Sequence, residues 1–329
     1  MTSTLVFEKA KTLAGTTLAI SGANGLVGRV LTQHANESGA AIRRLVRGLA
    51  RTDDEIAWSA HSGVHTPSEL EGLNAFVHLA GESIAGRWSA AKKARILNSR
   101  IEGTQRIVQA LAGLEQKPAV LVCASAVGFY GDRSNDVVDE DSPAGKGFLS
   151  EVCQGWEDAT RPAEAAGIRV VNLRLGVVLN RCAGALATML PVFRLGMGGR
   201  IGDGRQWLSW VSSHDVAAAI EHAILDHRLQ GPVNCVSPSP CTNAEFVQQL
   251  AKTLGRPACL PVPAFALKLA VGEMANETLL SSTRAVPKRL LDCGFEFQHG
   301  CLDEALQFEL QQNCGQANAA SLGQSGAHS

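Results

Sequence analysis

The stretch Gly22-Ala23-Asn24-Gly25-Leu26-Val27-Gly28 decides the fold, because it stands directly between an apolar run and a helical pattern. The run before it, residues 17–20, is typical of a strand buried on both faces of a parallel sheet. Glycines in such a turn let a pyrophosphate approach the backbone closely and sit at the N-terminus of the next helix. The stretch therefore predicts dinucleotide binding, and the alternative is a purely structural glycine turn. The predicted contact residues are Gly22, Gly25, Leu26, Val27 and Gly28.

Apolar runs continue to alternate with helical patterns along the chain. The predicted strands are residues 17–20, 41–46, 75–79, 119–123, 169–175 and 232–236. Between two of them, Ser89 precedes apolar residues spaced by three and four, which indicates a capped amphipathic helix. This order of elements predicts an α/β Rossmann fold with a doubly wound parallel sheet.

The composition of the chain changes after Ser237, where prolines cluster and residues 242–245 have the pattern of a capping box. We therefore expect residues 1–237 to form the dinucleotide-binding Rossmann domain. Residues 238–312 are expected to form a smaller, mainly helical substrate lobe, to which residues 176–212 partly contribute. Residues 313–329 lack hydrophobic periodicity, which predicts a disordered tail.

Charge and cysteine content exclude several classes of protein. Lys+Arg 30 against Asp+Glu 31 gives a net charge of -1, which argues against a nucleic-acid or membrane-surface binder driven by bulk charge. Nine cysteines without a C-x-x-C pair fit reduced thiols better than a disulfide framework or a zinc site. No apolar run reaches the ~18 residues of a membrane span. Charges at Glu8, Lys9 and Lys11 interrupt any signal peptide. We expect a cytoplasmic protein that binds a small molecule and no metal.

The second predicted strand indicates which dinucleotide is bound. An NAD site has an acid about 20 residues beyond the glycines to hold the ribose 2′-hydroxyl. Residues 42–47 contain no carboxylate and end in Arg47, whose planar guanidinium suits a 2′-phosphate. The sequence therefore favours NADP(H), and the alternative is that these arginines are merely solvated at the sheet edge.

Several further motifs resemble the extended short-chain dehydrogenase/reductases, and more closely one atypical branch of them. That branch is commonly labelled "epimerase family protein" or nucleoside-diphosphate-sugar epimerase. The matching motifs are His78-Leu79-Ala80-Gly81, Gly81-Glu82-Ser83-Ile84, Asn98-Ser99-Arg100, the run from Ser125 to Gly131, Trp156-Glu157, Gly202-Asp203-Gly204 and Pro287-Lys288-Arg289-Leu290. The resemblance covers about residues 17–310, and it implies a Rossmann fold, NADP(H) binding and oxidoreductase or epimerase activity.

The resemblance also implies roles for individual residues. Arg47 takes the position that contacts the adenosine phosphate, and Leu79 and Ala80 take the adenine-ribose side. Arg100 is expected to contact the cofactor, and Leu175 is expected to lie beside the nicotinamide. For Arg100 the alternative is an ordinary charge on a helix surface.

The catalytic pair of the superfamily, Tyr-x-x-x-Lys, is absent. Leu149 and Cys153 stand at its two positions, and neither can replace a tyrosine or a lysine. Ser125 is the nearest match to the substrate-orienting serine, although it could equally satisfy backbone groups at a strand end. Glu82 follows a strand end and is a candidate acid or base. Tyr130, the only tyrosine of the chain, completes the catalytic candidates.

The function predicted from these observations is an NADP(H)-binding oxidoreductase or epimerase-like protein without the Tyr-x-x-x-Lys pair. Its substrate is small, with nucleotide-linked compounds among the candidates. A non-catalytic NADPH-binding regulatory protein is the alternative, and a thiol-based redox protein using Cys153 is a third hypothesis.

The sequence also allows a prediction of the oligomeric state. Related folds often pair through two helices, which correspond here to residues 89–114 and 150–166. The second carries Pro162 and the first has a basic face at Lys92, Lys93 and Arg95, which disfavours a long helix bundle. We predict a monomer or weak homodimer. Light scattering at micromolar concentration checks this, and a stable dimer there would contradict it.

Overall fold

A computed structural model describes residues 12–312, and these residues form an α/β fold around one eight-stranded sheet. The strands are β1 (Thr17–Ser21), β2 (Ala41–Arg47), β3 (Glu55–Ser59), β4 (Gly63–Val64), β5 (Ala75–His78), β6 (Val120–Ala126), β7 (Val137–Val138), β8 (Arg169–Leu175), β9 (Val177–Leu179), β10 (Trp207–Leu208), β11 (Trp210–Ser212), β12 (Gly231–Cys235), β13 (Cys241–Thr242) and β14 (Arg284–Ala285). The α-helices are α1 (Leu26–Glu37), α2 (Ala90–Ala112), α3 (Phe148–Asp158), α4 (Arg161–Ala165), α5 (Gly184–Arg194), α6 (Ser213–Leu225), α7 (Asn243–Leu254), α8 (Ala264–Val271), α9 (Lys288–Asp292) and α10 (Leu302–Gln311). The predicted Rossmann fold is confirmed.

The strand order β12-β8-β6-β5-β1-β2-β3-β4 places β1 near the middle of the sheet. All neighbours pair in parallel except β3 and β4, which are antiparallel. The chain runs outward from β1 to β4 and then resumes on the other side of β1 with β5. Because the order reverses between β1 and β5, a crevice for a ligand opens there at the carboxyl ends of the strands.

Helices cover both faces of the sheet, and alternate residues of each strand point to opposite faces. Leu18 and Ile20 of β1 are fully buried on the face covered by α1 and α6. Ala19 between them belongs to the core on the other face, where α2, α3 and α4 pack. Burial on both faces explains why the strands of this sheet read as continuous apolar runs.

Two features of this domain differ from the sequence-based expectations. The strands β3 and β4 are absent from the sequence-based expectations. In β3 the buried Ile56 and Trp58 alternate with less buried neighbours, but one of these, Ala57, is apolar, which weakens the alternating pattern in the sequence. The single helix expected over residues 150–166 is wrong, because α3 ends at Asp158 and Pro162 lies in the first turn of α4. A proline lacks an N–H that the first turn does not use, so it starts a helix more easily than it continues one.

The part of the chain after β12 is mainly helical, as predicted. Thr242 and Glu245 form the predicted capping box at the start of α7, and Gly255 ends that helix in the left-handed region at φ 61°. The apolar faces of α5, α7 and α10 pack together into a separate core. Within residues 12–312 no helix is long and apolar enough to cross a membrane. The tail predicted for residues 313–329 lies outside the described residues.

The edge strand β12 is covered by side chains rather than by another strand. The carboxylate of Glu140 accepts a hydrogen bond from the Asn234 amide at 2.9 Å. The guanidinium of Arg289 donates to the carbonyl oxygens of Gln230 at 3.1 Å and Pro232 at 2.9 Å. Backbone groups on the open side of the edge therefore have partners within the same chain.

The contact between α10 and α6 generates a prediction about pH. Glu309 is fully buried and accepts hydrogen bonds from the Ser213 amide at 2.8 Å and the Ser213 hydroxyl at 2.9 Å. Burial raises the pKa of Glu309 from 4.5 to about 7. A raised carboxyl pKa means that the folded state holds the proton more tightly than the unfolded state. This contribution to stability is therefore present below about pH 4.5 and is lost as the pH rises through about 7.

We predict that Glu309→Gln removes this part of the pH dependence. The Tm of the unchanged protein should fall more between pH 5 and pH 8 than the Tm of the variant does. Thermal denaturation followed by circular dichroism at several pH values measures both curves. Two parallel curves would show that Glu309 does not titrate in this range.

Candidate cofactor and active site

The turn after β1 packs so tightly that two of its glycines have no room for a side chain. Gly22 has φ 74°, and a Cβ atom there would lie 2.8 Å from the carbonyl carbon of Leu79. A Cβ atom on Gly28 would overlap the carbonyl oxygen of Gly22. Glycine at both positions thus brings α1 against the turn and holds the turn on the end of β5.

The N-terminus of α1 is open to an anion. Gly25 is the N-cap, without a capping side chain and without an acidic residue in the first turn. The first intrahelical bond runs from the Arg29 amide to the Gly25 carbonyl at 3.0 Å. The amides of Leu26, Val27 and Gly28 therefore have no partner inside the helix. Three free amides at the positive end of a helix fit a diphosphate group.

The arginines of β2 differ in their partners. Arg43 donates to the Glu69 carbonyl at 2.6 Å, and Arg44 pairs with Asp54 at 2.9 Å. Arg47, the last residue of the strand, is exposed and forms no hydrogen bond or ion pair within residues 12–312. Its guanidinium is thus the one on this strand that is free to bind a phosphate.

Three other predicted cofactor contacts lie at the carboxyl edge of the sheet. Leu79 and Ala80 directly follow β5, and the Leu79 amide donates to the Ser21 carbonyl at the end of β1 at 3.1 Å. Leu175 is the last residue of β8 and is half-buried. The fold therefore brings these residues to the same edge as the glycine turn.

Arg100 on α2 is held inward rather than solvated on the helix surface. Its guanidinium donates to the carbonyl oxygens of Glu82 at 3.0 Å and Ile96 at 3.2 Å. It also lies over the Trp156 ring, 4.9 Å from the ring centre, and beside Gly81. Burial lowers its pKa, but a guanidinium stays charged at neutral pH. The hydrogen bond to Glu82 and the contact with Gly81 thus hold this cation against the loop that follows β5.

Leu149 and Cys153 lie one turn apart on α3, facing the end of β6. A Cβ atom on Gly128 would lie 3.3 Å from the Leu149 Cβ and 3.9 Å from the Cys153 sulfur. Burial, with the nearby Glu157 carboxylate, raises the pKa of Cys153 to about 11. A buried protonated thiol is a poor nucleophile, so the structure does not favour a redox protein that uses Cys153.

Ser125 at the end of β6 belongs to a buried polar network. Its hydroxyl donates to Glu157 Oε1 at 2.7 Å. Glu157 in turn accepts hydrogen bonds from both Nε and Nη2 of Arg174, each at 2.8 Å. Glu157 is not among the residues predicted for the site, although Trp156-Glu157 is one of the motifs of the resemblance. Its spacing, four residues beyond Cys153 and eight beyond Leu149, places it on the same helix face.

Tyr130 lies in the core, where its hydroxyl is fully used. The side chain is 0% exposed. Its hydroxyl donates to Asn234 Oδ1 at 2.8 Å and accepts from Arg174 Nη1 at 2.9 Å. Burial raises its pKa to about 12. Tyr130 therefore extends the Ser125–Glu157–Arg174 network into the interior.

Glu82 lies in the loop after β5, with its side chain 33% exposed. Its carboxylate pairs with Lys92 at 2.7 Å and with Arg95 at 3.6 Å. The hydrogen bond from Lys92 lowers the pKa of Glu82, so the group is ionised at neutral pH. In this state it can accept a proton but cannot donate one.

The C-terminal part of the chain contacts this region. Glu277 Oε2 accepts the Leu149 amide at 3.1 Å, at the start of α3. Met274 and Leu149 pack against the same apolar cluster. Arg87 donates to the Leu269 carbonyl on α8 at 3.2 Å. Residues 264–280 thereby form a wall beside the loop that carries Glu82.

The chain is similar to known proteins over most of its length. An epimerase family protein of Mycobacterium bovis is 42% identical over 297 residues, which are 90% of this chain and 98% of that protein. The human epimerase family protein SDR39U1 is 36% identical over 296 residues, covering 88% of this chain and 97% of that protein. A crystal structure of human SDR39U1 (isoform 2) with NADPH superposes with a TM-score of 0.84 at 34% identity, covering 90% of this chain and all of that one.

Two family models match separate parts of the chain. A domain of unknown function, DUF1731, matches residues 262–309, which include the wall beside the Glu82 loop and α10. The model of the NAD dependent epimerase/dehydratase family matches residues 18–235, from β1 through β12. With the glycine turn, the sheet order and the relatives in agreement, the chain belongs to the NAD dependent epimerase/dehydratase family.

Proposed function

We propose that this protein is an NADP(H)-dependent oxidoreductase or epimerase-like enzyme that works without the Tyr-x-x-x-Lys pair. The observation that carries the proposal is the free guanidinium of Arg47 at the end of β2, the strand that pairs with β1, together with the open N-terminus of α1 that follows β1. A diphosphate at α1 and a 2′-phosphate at Arg47 are the two anionic groups of this cofactor. The NADPH in the crystal structure of human SDR39U1 supports the same choice.

The remaining cofactor contacts in this proposal follow the carboxyl edge of the sheet. Leu79 and Ala80 line the adenine-ribose side, Arg100 fixes the loop after β5, and Leu175 lies beside the nicotinamide. When bound, the nicotinamide supplies or accepts a hydride at C4, which is the difficult step of the reaction. The side chains then need only to orient the substrate and move one proton.

For that proton we nominate Ser125 and Glu82. The hydroxyl of Ser125 donates its hydrogen bond to Glu157, so the lone pairs of the Ser125 oxygen can accept a hydrogen bond from a substrate hydroxyl. As the substrate proton moves to the Ser125 oxygen, the Ser125 proton would move to the Glu157 carboxylate, so the hydroxyl relays one proton. Glu82 is ionised and can act as a base. Tyr130 is not retained, because its buried hydroxyl already has two protein partners.

The proposal also includes the division of the chain and the place of the substrate. Residues 1–237 hold the cofactor, and residues 238–312, with part of residues 176–212, cover a small substrate. A nucleotide-linked compound is the substrate class that fits an epimerase of this fold. A cytoplasmic location belongs to the same proposal.

We predict that Arg47 sets the preference for NADPH over NADH. Loss of a charge-assisted contact costs about 1.5–3 kcal/mol, which is roughly tenfold to a hundredfold in affinity. Fluorescence titration should show tighter binding of NADPH than NADH, and Arg47→Ala should close most of that gap. Arg43→Ala is the matched control on the same strand and should leave the gap unchanged. Equal affinities in the unchanged protein would contradict the assignment.

We also predict that turnover is slow and depends on Ser125 and Glu82. A positioned acid or base contributes about 10²–10⁴-fold in rate, so Ser125→Ala and Glu82→Gln should each lose most of the activity found in a carbonyl screen. Tyr130→Phe should still bind NADPH. Robust turnover that survives both substitutions would exclude these two residues. Tight NADPH binding with no turnover, and a partner captured only with the cofactor, would instead support the regulatory protein.

A further inference from the structure

A second cavity lies in the C-terminal part of the chain, with none of the proposed cofactor contacts in its lining. It has a volume of about 500 Å³, within the usual range for small-molecule sites. Helix α7 forms one wall through Ala244, Val247 and Ala251. The other wall is a pair of backbone segments, in which the Val262 amide donates to the Arg200 carbonyl at 2.8 Å.

The cavity carries positive charge without any acid. Arg200 and Arg256 both line it, and neither side chain forms an ion pair or hydrogen bond with another residue between 12 and 312. The acids nearest in sequence have other partners: Asp203 accepts a hydrogen bond from the Arg205 amide at 3.1 Å, and Glu245 accepts from Thr242 in the capping box. Because both guanidinium groups lack a counter-ion among the described residues, an anion that reaches both of them is favoured at the cavity.

The aliphatic stem of Arg200 lies beside Gly204 and α7. A Cβ atom on Gly204 would lie 3.3 Å from both Cβ and Cδ of Arg200 and 3.0 Å from the Ala244 Cβ. Gly204 has φ 77° and is buried, so the loop leaves just enough room for the stem beside α7. Arg200 is exposed, so its guanidinium is accessible to a ligand at the cavity wall.

Apolar side chains continue from the cavity onto the surface. Besides the two arginines, the lining consists mainly of alanines, a valine and prolines. On the adjoining segments Leu195 is 71% exposed, Met197 49% and Leu260 56%. The Leu260 amide donates to the Gly198 carbonyl at 3.2 Å, which keeps these segments together. Such a group of exposed apolar residues beside a cavity is typical of a binding surface.

We propose that this cavity binds an amphiphilic anion, with its carboxylate or phosphate headgroup between Arg200 and Arg256. The planar guanidinium suits the paired oxygens of either headgroup. The apolar chain of the ligand lies along the alanines and prolines of the lining and extends toward Leu260. The site is separate from the proposed cofactor cleft and does not depend on catalysis.

Calorimetric titration of the full chain with single amphiphiles tests the proposal. The probes are dodecanoate and dodecyl phosphate below their micelle concentrations, with dodecanol and inorganic phosphate alone as the chain and headgroup controls. We expect at least one of the two anionic amphiphiles to bind more tightly than both controls. Arg200→Gln and Arg256→Gln should each weaken that binding roughly tenfold to a hundredfold. Arg194→Gln removes an exposed, unpaired charge outside the cavity and should leave the affinity unchanged.

Two more measurements distinguish binding in this cavity from adsorption of the amphiphile elsewhere on the protein. Ala251→Phe places a ring in the cavity and should weaken binding of the amphiphile. NADPH affinity should stay the same in every variant, and this result would also show that each variant is folded. Because NADPH binding is measured separately, a failure of the cofactor proposal is distinguishable from a failure of this one. Absence of binding at millimolar probe, equal losses with Arg194→Gln, or binding only to anionic lipid vesicles would overturn the proposal.

Discussion

The contact of α1 with the turn after β1 is the constraint on which the rest of the site depends. It exists only because positions 22 and 28 have no Cβ atom. With the helix this close, its free amides point to the carboxyl edge of the sheet at the place where the strand order reverses. The register of β2 on β1 pairs Leu45 with Ser21, so Arg47 extends two residues beyond the end of β1. The proposed diphosphate site and the proposed 2′-phosphate site thus both depend on one piece of backbone packing.

A second constraint is the buried network around Arg174. This guanidinium is nearly inaccessible, so its charge needs partners, and Glu157 and Tyr130 provide them. The only tyrosine of the chain is consequently used for structure. Ser125 is connected to the same network through Glu157, which links the carboxyl end of β6 to a charge that cannot easily move. Leu149 and Cys153 share a helix face with Glu157, so this network also borders those two positions.

Much of the fold followed from local patterns, while most of the site geometry did not. Buried parallel strands and the capping box at Thr242 have short-range signals, and both appear as expected. The strands β3 and β4 are too short and too polar to stand out by period alone. The break before α4 depends on where Pro162 falls within a turn. The partners of Tyr130, Glu82 and Ser125 come from elements 10 to 104 residues away, so no local pattern could reveal them. Arg47 needs no such partner in its proposed role, so the end of a single strand is enough to nominate it.

The covered edge of β12 also affects how this protein meets other copies of itself. A bare edge strand offers unpaired amides and carbonyls that can add a strand from another chain and begin aggregation. Here Glu140 and Arg289 occupy those groups, and Pro232 lacks an amide to offer. The opposite edge of the sheet, β4, is only two residues long. A second molecule therefore cannot add a strand at the β12 edge, and the β4 edge gives it only two residues to pair with. Both edges thus oppose polymerisation through this large apolar sheet.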